Sequence, residues 1–504
     1  LLNLVVSAFT IFIKPNVKNL VKIWGGLDVV DNYKGTNKLI TGIVFGVITF
    51  WLFAQAMVNV VPAVQSDLGV SYGTLNIAIS LTALFSGMFI VAAGGIADKI
   101  GRKKITYLGL ILSIIGSLCL IFAQGATLLI VGRVIQGLSA ACIMPATIAL
   151  MKAYFDGKER QRALSYWSIG SWGGSGVCSF AGGAIATYMG WKWIFIFSVI
   201  FALLGMWLIK DTPESKAEGT GKFKFDYSGL VIFAITMVAL NVFITFGADL
   251  GWTSPISIIL AIVTVVSAVV FFKVEKKKDI ALIDFSLFKN KPYAGATFSN
   301  FLLNAIAGTL VVANTYVQVG RGFTAFQSGM LSIGYLVAVL AMIRVGEKIL
   351  QKVGAKAPMV WGALITTVGV AMMGLTFLPG FTYTVVVFIG FALFGLGLGI
   401  YATPSTDTSV SNAPANKVGE AAGVYKMASS LGSAIGVAIS ATVYSSVAAV
   451  GSVESAASIG IVVNVIFGIL SILSIMFMVP KNAGKSSEAS SKKAVHKQPA
   501  KSAS

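Results

Sequence analysis

The stretch Gly94-Gly95-Ile96-Ala97-Asp98-Lys99-Ile100-Gly101-Arg102-Lys103-Lys104 lies between two apolar runs, residues 75–93 and 105–122. At about 1.5 Å of rise per residue, roughly 20 mostly apolar residues cross the hydrocarbon core of a bilayer. Two such helices joined here leave only a short polar connection, and a glycine such as Gly101 suits so tight a turn. Asp98 can accept hydrogen bonds from Arg102 or from the N-terminus of another helix. A basic cluster alone would only stop a hydrophobic run at the cytoplasmic face. The ordered set G-x-x-D-x-x-G-R-K is a more demanding pattern.

The rest of the chain repeats this apolar patterning. Of 504 residues, 56% are hydrophobic and 11% charged, against roughly 25% charged in a soluble protein. That balance excludes a water-soluble enzyme, a disordered chain and a disulfide scaffold. Reading along the chain predicts fourteen spans: 40–64, 75–93, 105–122, 127–150, 164–188, 193–209, 230–246, 256–272, 294–318, 327–343, 358–378, 383–403, 421–447 and 459–479. The expected fold is an all-α polytopic membrane protein. Cys119, Cys142 and Cys178 sit inside apolar runs with no metal or disulfide spacing. The single histidine, His496, falls in a polar tail.

Charge sets the orientation, because Lys and Arg accumulate on the cytoplasmic side. Of 38 basic residues, only Lys192 and Arg321 fall in loops on the opposite side, and Arg133 lies within a span. The other 35 are assigned to the N-terminal segment, alternate loops and the tail, which places both termini in the cytoplasm. The net charge of +19 then faces the anionic inner leaflet rather than nucleic acid. Residues 1–13 are apolar but too short to span, and lack a basic leader, so they read as a peripheral segment rather than a signal peptide. The expected organisation is a cytoplasmic segment (1–38), a six-helix bundle (39–210), a two-helix insertion with flanking loops (211–292), a second six-helix bundle (293–480) and a disordered tail (481–504).

Polar residues inside spans are the candidate functional groups. Arg133, about 10 Å below the outer boundary at helical rise, costs several kcal/mol unless paired or hydrated, and Gln136-Gly137 follow it. At 100° per residue, Asn300, Asn304, Asn314 and Gln318 share one arc of span nine, and Gln55 and Asn59 share a face of span one. These amides point to a central cavity, with interhelical hydrogen bonding as the plainer reading. Trp51, Phe53, Tyr316, Tyr335 and Tyr401 are candidates for its aromatic wall. Gly174, Cys178 and Gly182, with Ser179 and Gly183 beside them, form a small-residue stripe in span five. Ala428, Gly432, Gly436 and Ser440 repeat it in span thirteen, as an internal duplication would. No acid falls in the middle of a span; Asp98, Glu347, Asp407 and Glu420 gather at cytoplasmic ends. With no Walker loop, nucleophile set or His/Cys cluster, hydrolytic chemistry and a metal site are not expected.

The Asp98 loop resembles the signature loop of the major facilitator superfamily, and Arg133 to Gly137 resembles that superfamily's R-x-x-Q-G motif. The span-five stripe is similar to the antiporter motif G-x-x-x-G-P-x-x-G-G, with Cys178-Ser179 where Gly-Pro is expected. Over nearly the whole chain after Asn37 the sequence resembles the fourteen-span drug:proton antiporters. The blocks RALSYWSIG at 162–170 and YATPSTDT at 401–408 resemble staphylococcal Nor-type quinolone and multidrug efflux pumps.

The resemblance implies two pseudo-symmetric bundles in a bacterial cell membrane, exporting amphiphilic drugs by alternating access. Export would be driven by the proton gradient, without a cofactor. It makes Gly95, Asp98, Gly101, Arg102 and Lys103 a cytoplasmic gate meeting span thirteen near Glu420, and places Arg133 and Gln136 near the cavity. Many such antiporters carry an Asp in span one; here span one has no acid, which leaves Asp407 and Glu347 as candidate proton carriers. It also suggests that Arg133, bonded to Gln55 and Asn59, receives a substrate carboxylate. The rival readings are the same fold moving a metabolite, lipid precursor or siderophore, and a non-transporting receptor or scaffold. In a chain whose native cysteines are replaced, single cysteines at Lys277 and Lys352 should react with an impermeant thiol reagent only from inside, and one at Ser452 only from outside. Labelling of Lys352→Cys from outside would overturn the orientation.

Overall fold

The computed structural model describes residues 33–217, 226–278 and 281–484. Expectations for residues 1–32 and 485–504 lie outside the described residues. All regular structure among the described residues is helical. In chain order it comprises α1 (Asn37–Ile48), α2 (Val61–Leu68), α3 (Tyr72–Ile100), α4 (Arg102–Ile121), α5 (Ala126–Tyr154), α6 (Gly157–Ser168), α7 (Gly174–Tyr188), α8 (Lys192–Ile209) and α9 (Tyr227–Leu250). Then follow α10 (Pro255–Glu275), α11 (Lys291–Ala305), α12 (Gly308–Val319), α13 (Ala325–Leu331), α14 (Ile333–Val353), α15 (Lys356–Met373), α16 (Gly380–Ser411), α17 (Val418–Ala448) and α18 (Val453–Met478). Side-chain caps start several of them: Ser71, Ser254, Asn290 and Ser452 each accept a backbone N–H from the first turn, satisfying donors that lack intrahelical partners.

Thirteen helical segments among the described residues are each long and apolar enough to cross a membrane. The predicted fifth span, 164–188, is not among them, although residues 157–188 are helical throughout. Its path is divided between α6, a π turn at Ile169–Gly173 and α7. The first span is similarly divided. α1 runs into a π turn at Thr49–Ala54 and a 3-10 turn at Gln55–Asn59. Such turns shift the phase of the helix and interrupt its regular hydrogen-bond ladder. The two irregular segments pack together, with Gly174 against Trp51 and Gly182 against Ala56.

α3 and α4 pack along α5, and α8 packs on α1 and α4. Further along, α14 and α15 pack along α16, while α11, α15 and α17 surround α18. These sets meet where α17 crosses α3 and α5, and where α6 lies against α14 and α16. α9 and α10 pair with each other, and α9 leans on α3 and α17. Ile256, Ile259, Ile262, Val265, Val266 and Val269 leave one side of α10 exposed, as expected of a lipid-facing surface.

Association inside a bilayer depends on close contact rather than on escape from water, and glycines provide that contact. A Cβ on Gly94 would strike the Gly419 carbonyl oxygen, bringing α3 and α17 backbone to backbone. Gly432 and Gly436 stand likewise against the carbonyls of Phe301 and Ala305 on α11. Overpacking typically costs about 1–3 kcal/mol, and here the opposing atoms are backbone that cannot rotate away. Gly436→Val should therefore lower the unfolding temperature of the purified protein, whereas Gly183→Ala, where a Cβ meets open space, should not. An unchanged melting curve for Gly436→Val would contradict this packing.

Candidate functional site

One end of the molecule is held by Asp98. Its Oδ1 accepts Nε (3.0 Å) and Nη2 (2.8 Å) of Arg102 one turn further on. Its Oδ2 accepts the backbone N–H groups of Gly419 (2.7 Å) and Glu420 (3.1 Å) at the start of α17. A carboxylate thus caps the positive end of a helix belonging to the other half of the chain. Arg102 also donates to Ser215 Oγ (3.2 Å) and the Ala415 carbonyl (3.3 Å). Gly101 adopts φ +140°, and a Cβ there would strike the Glu214 carboxylate, which accepts the Lys103 (2.8 Å) and Lys104 (3.0 Å) backbone N–H groups. Burial pushes the Glu214 carboxyl above its usual range, against the opposing pull of those amides. Lys103 Nζ donates to the carbonyls of Lys210 and Thr212, both at 2.6 Å, tying the segment after α8 to the same corner.

A second set of contacts closes the same end between α6 and the helices α14 and α16. Asp407, fully buried, accepts Arg160 Nε (3.0 Å) and Gln161 Nε2 (3.2 Å). Glu347 pairs with Arg344, whose Nη1 also donates to Ser165 Oγ (3.1 Å). Gln351 reaches the Lys158 carbonyl (3.3 Å). Asp98 and Asp407 thus anchor two sets of contacts, one on each side of the interface.

Arg133 on α5 is 0% exposed. Its Nη1 donates to the Ala54 carbonyl and to Gln136 Oε1, both at 2.8 Å, while Nε and Nη2 have no partner. Ala54 ends the π turn of the first span, so the irregular helix presents a carbonyl to the buried cation. No carboxylate pairs with Arg133 among the described residues.

A cavity of about 60 Å³ opens between the first span, α3, α5 and α17. Trp51, Gln55, Met144, Lys426, Ser429 and Ser430 are among its lining residues. Trp51 Nε1 rests 3.3 Å from Met144 Sδ. Asn300 supports the wall from behind, donating to Ser429 Oγ (2.5 Å) and the Tyr425 carbonyl (3.0 Å), and Asn304 donates to Asn300. The interior thus holds buried cations and amides, with the carboxylates kept at the ends. That arrangement can bind and release solutes.

Sequence comparison places this arrangement in a family. The profile of the Major Facilitator Superfamily matches residues 43–437. The chain belongs to the Major Facilitator Superfamily. It is 56% identical to the quinolone resistance protein NorB of Staphylococcus aureus strain MRSA252 over 451 residues, covering 90% of this chain and 97% of that one. Identity to NorB of strain COL is 57% with the same coverage. Two solved superfamily structures share the fold. The proton:xylose symporter XylE has a TM-score of 0.63 at 15% identity, covering 89% of this chain and 97% of that one. The human organic anion transporter MFSD10 has a TM-score of 0.60 at 13% identity, covering 87% and 98%. The protein is a multi-pass membrane transporter and not an enzyme.

Several sequence expectations change against this superfamily fold. Within the Asp98 loop the close helix contact belongs to Gly94; a Cβ on Gly95 would meet nothing. Glu420 joins the latch through its backbone, while its carboxylate accepts the Asp284 N–H at 2.6 Å. The four-amide stripe of span nine does not persist, because the helix breaks between α11 and α12. There Ala307, Thr309 and Leu310 bond to carbonyls three residues back, resetting the phase. Asn300 bonds to α17 and Asn304 to Asn300, Asn314 accepts from Ser328 Oγ (3.0 Å), and Gln318 is exposed. Tyr316 is buried away from the cavity, against Tyr383 and the Thr376 carbonyl. Tyr401 is buried in a hydroxyl network with Ser299 and Ser405. Arg133 bonds Ala54 and Gln136 rather than Gln55. The side chains of Asn59 and Ser179 lie outside the described residues. Cys178 donates to the Ser175 carbonyl at 2.9 Å within its own helix.

Lys426 is the residue that the sequence reading missed. It lies within the predicted thirteenth span rather than in an inner loop, and only its depth among apolar neighbours marked it.

Hydrogen bonds to a charged group contribute about 1.5–3 kcal/mol each. Asp98→Asn should therefore shift the equilibrium toward an open inner end by about tenfold or more. Labelling of a cysteine at Ser430 by a cytoplasmic thiol reagent should accelerate accordingly. An unchanged labelling rate would show that Asp98 does not hold the gate.

Proposed function

We propose that this transporter is a proton-coupled multidrug efflux antiporter that exports amphiphilic drugs, quinolones among them, by alternating access. The observation that carries the reading is the 56–57% identity to NorB quinolone resistance proteins over 90% of the chain. In this reading 164–188 completes fourteen spans, and both termini face the cytoplasm. Two six-helix bundles, 39–210 and 293–480, rock about the α3–α17 and α6–α14 contacts, with 211–292 as an added pair. The latches at Asp98 and Asp407 break when the inner end opens, and Gly101 and Arg102 reset the first of them. Asp407 and Glu347 are the proposed proton carriers, each already paired with an arginine at the interface. Protonating Asp407 would release Arg160 and so couple proton entry to opening. No cofactor is required.

The test is flux in proteoliposomes under an imposed pH gradient, with a quinolone and ethidium as substrates. Gradient-driven accumulation of either, abolished by a protonophore and uncoupled from protons by Asp407→Asn, is the expected result. Absence of flux for both in folded protein would overturn the drug-export reading. Unaltered proton coupling in Asp407→Asn would remove that residue from the proton path.

A further inference from the structure

Lys426 is 5% exposed and borders the cavity from α17. Its ammonium lies 4.3 Å from the centre of the Trp167 ring and 5.8 Å from that of Tyr425. Among the described residues it meets no carboxylate and donates no hydrogen bond. Cation–π contact recovers about 2 kcal/mol at a desolvated site, whereas removing an ion from water costs several. The cation is therefore incompletely compensated, and an anion brought beside it in this low-dielectric setting would be strongly attracted. Around it stand the groups an aromatic acid requires. Phe50 and Trp51 meet edge to face at 5.3 Å and give an apolar wall, and Gln55, Ser429 and Ser430 supply polar contacts. Arg133 is a poorer candidate, since it does not line the cavity and is already held by Ala54 and Gln136.

We propose that Lys426 is the specificity-determining residue for carboxylate-bearing aromatic amphiphiles. Its ammonium pairs with the substrate carboxylate while Trp51 covers the ring. The proposal rests on the efflux reading and deepens it. At about 60 Å³ the cavity holds water rather than a drug, so substrate enters as α17 draws away from α3 and α5, carrying Lys426 with it. Selection and helix movement thereby involve the same residue.

The experiment is equilibrium binding to the purified full chain with two probe pairs. One is a zwitterionic quinolone and its methyl ester; the other is 2-naphthoate and its methyl ester. The wild type should bind each acid about tenfold or more tightly than its ester. Lys426→Met should bring the acid-to-ester ratio close to one while keeping ester affinity within about twofold, and Lys426→Arg should retain the preference. If Lys426→Met binds neither member of a pair, Lys426→Gln is judged by the same ratio. A wild type without acid preference overturns the proposal. So does a preference that survives neutralisation of Lys426, or one lost in Arg133→Gln but kept in Lys426→Met. Wild-type quinolone flux is measured separately in vesicles. Flux without acid preference sinks the carboxylate site alone; a Lys426-dependent preference without flux sinks the efflux reading alone.

Discussion

A single carboxylate on α3 organises one end of this transporter. Asp98 holds Arg102 with one oxygen and the first amides of α17 with the other. The geometry is possible only because Gly94 and Gly419 let the two backbones touch. Neither half works without the other: a bulkier residue at the crossing would pull the helix end out of reach, and a neutral residue would lose the charge that pairs with Arg102 and complements the helix end. The connection after α8 is drawn into the same corner by Lys103 and Glu214. The loop after α10 joins through the Lys417–Asp284 ion pair and through Glu420. The Asp98–Arg102 pair and the contacts around it therefore gather segments from both halves of the chain and from its middle.

This placement of charge suits an equilibrium that must switch. Bonds at the end of a bundle can exchange for water when they break, so opening costs far less there than it would in the bilayer centre. The second latch, with Arg160 on Asp407 and Arg344 on Glu347, follows the same logic across the interface from the first. Deep in the membrane the pattern inverts. The buried groups there are Arg133 and Lys426, one held by a carbonyl and an amide and the other by an indole face. Carboxylates gathered at one end thus tie helices of the two halves together, while of the two interior cations Lys426 borders the cavity.

Much of this was legible in the sequence because hydropathy and charge act locally. Apolar runs of about 20 residues must span, basic loops must stay inside, and G-x-x-D-x-x-G-R-K at Gly95 to Lys103 named its own turn. The residues themselves showed only that Asp98 could accept from Arg102 or from a helix N-terminus; that this terminus belongs to span thirteen was implied by the family resemblance. What the sequence by itself determined was the helical class, the loops, and which residue types would be costly to bury.

Only the tertiary structure decided which of those residues meet. Angular reckoning at 100° per residue assumed an unbroken helix, and the break between α11 and α12 split Asn300 and Asn304 from Asn314 and Gln318. Gly94 rather than Gly95 became the crossing point, because one turn of a helix settles which glycine faces its neighbour. Lys426 was hidden from a tally of loops, and the nearer of the two rings beside its ammonium, that of Trp167, lies 259 positions earlier by number (426 − 167). Composition and periodicity fix what each segment is, since they depend on neighbours along the chain. Which buried charge faces a cavity depends on helices that are distant in sequence, and a linear pattern carries no record of them.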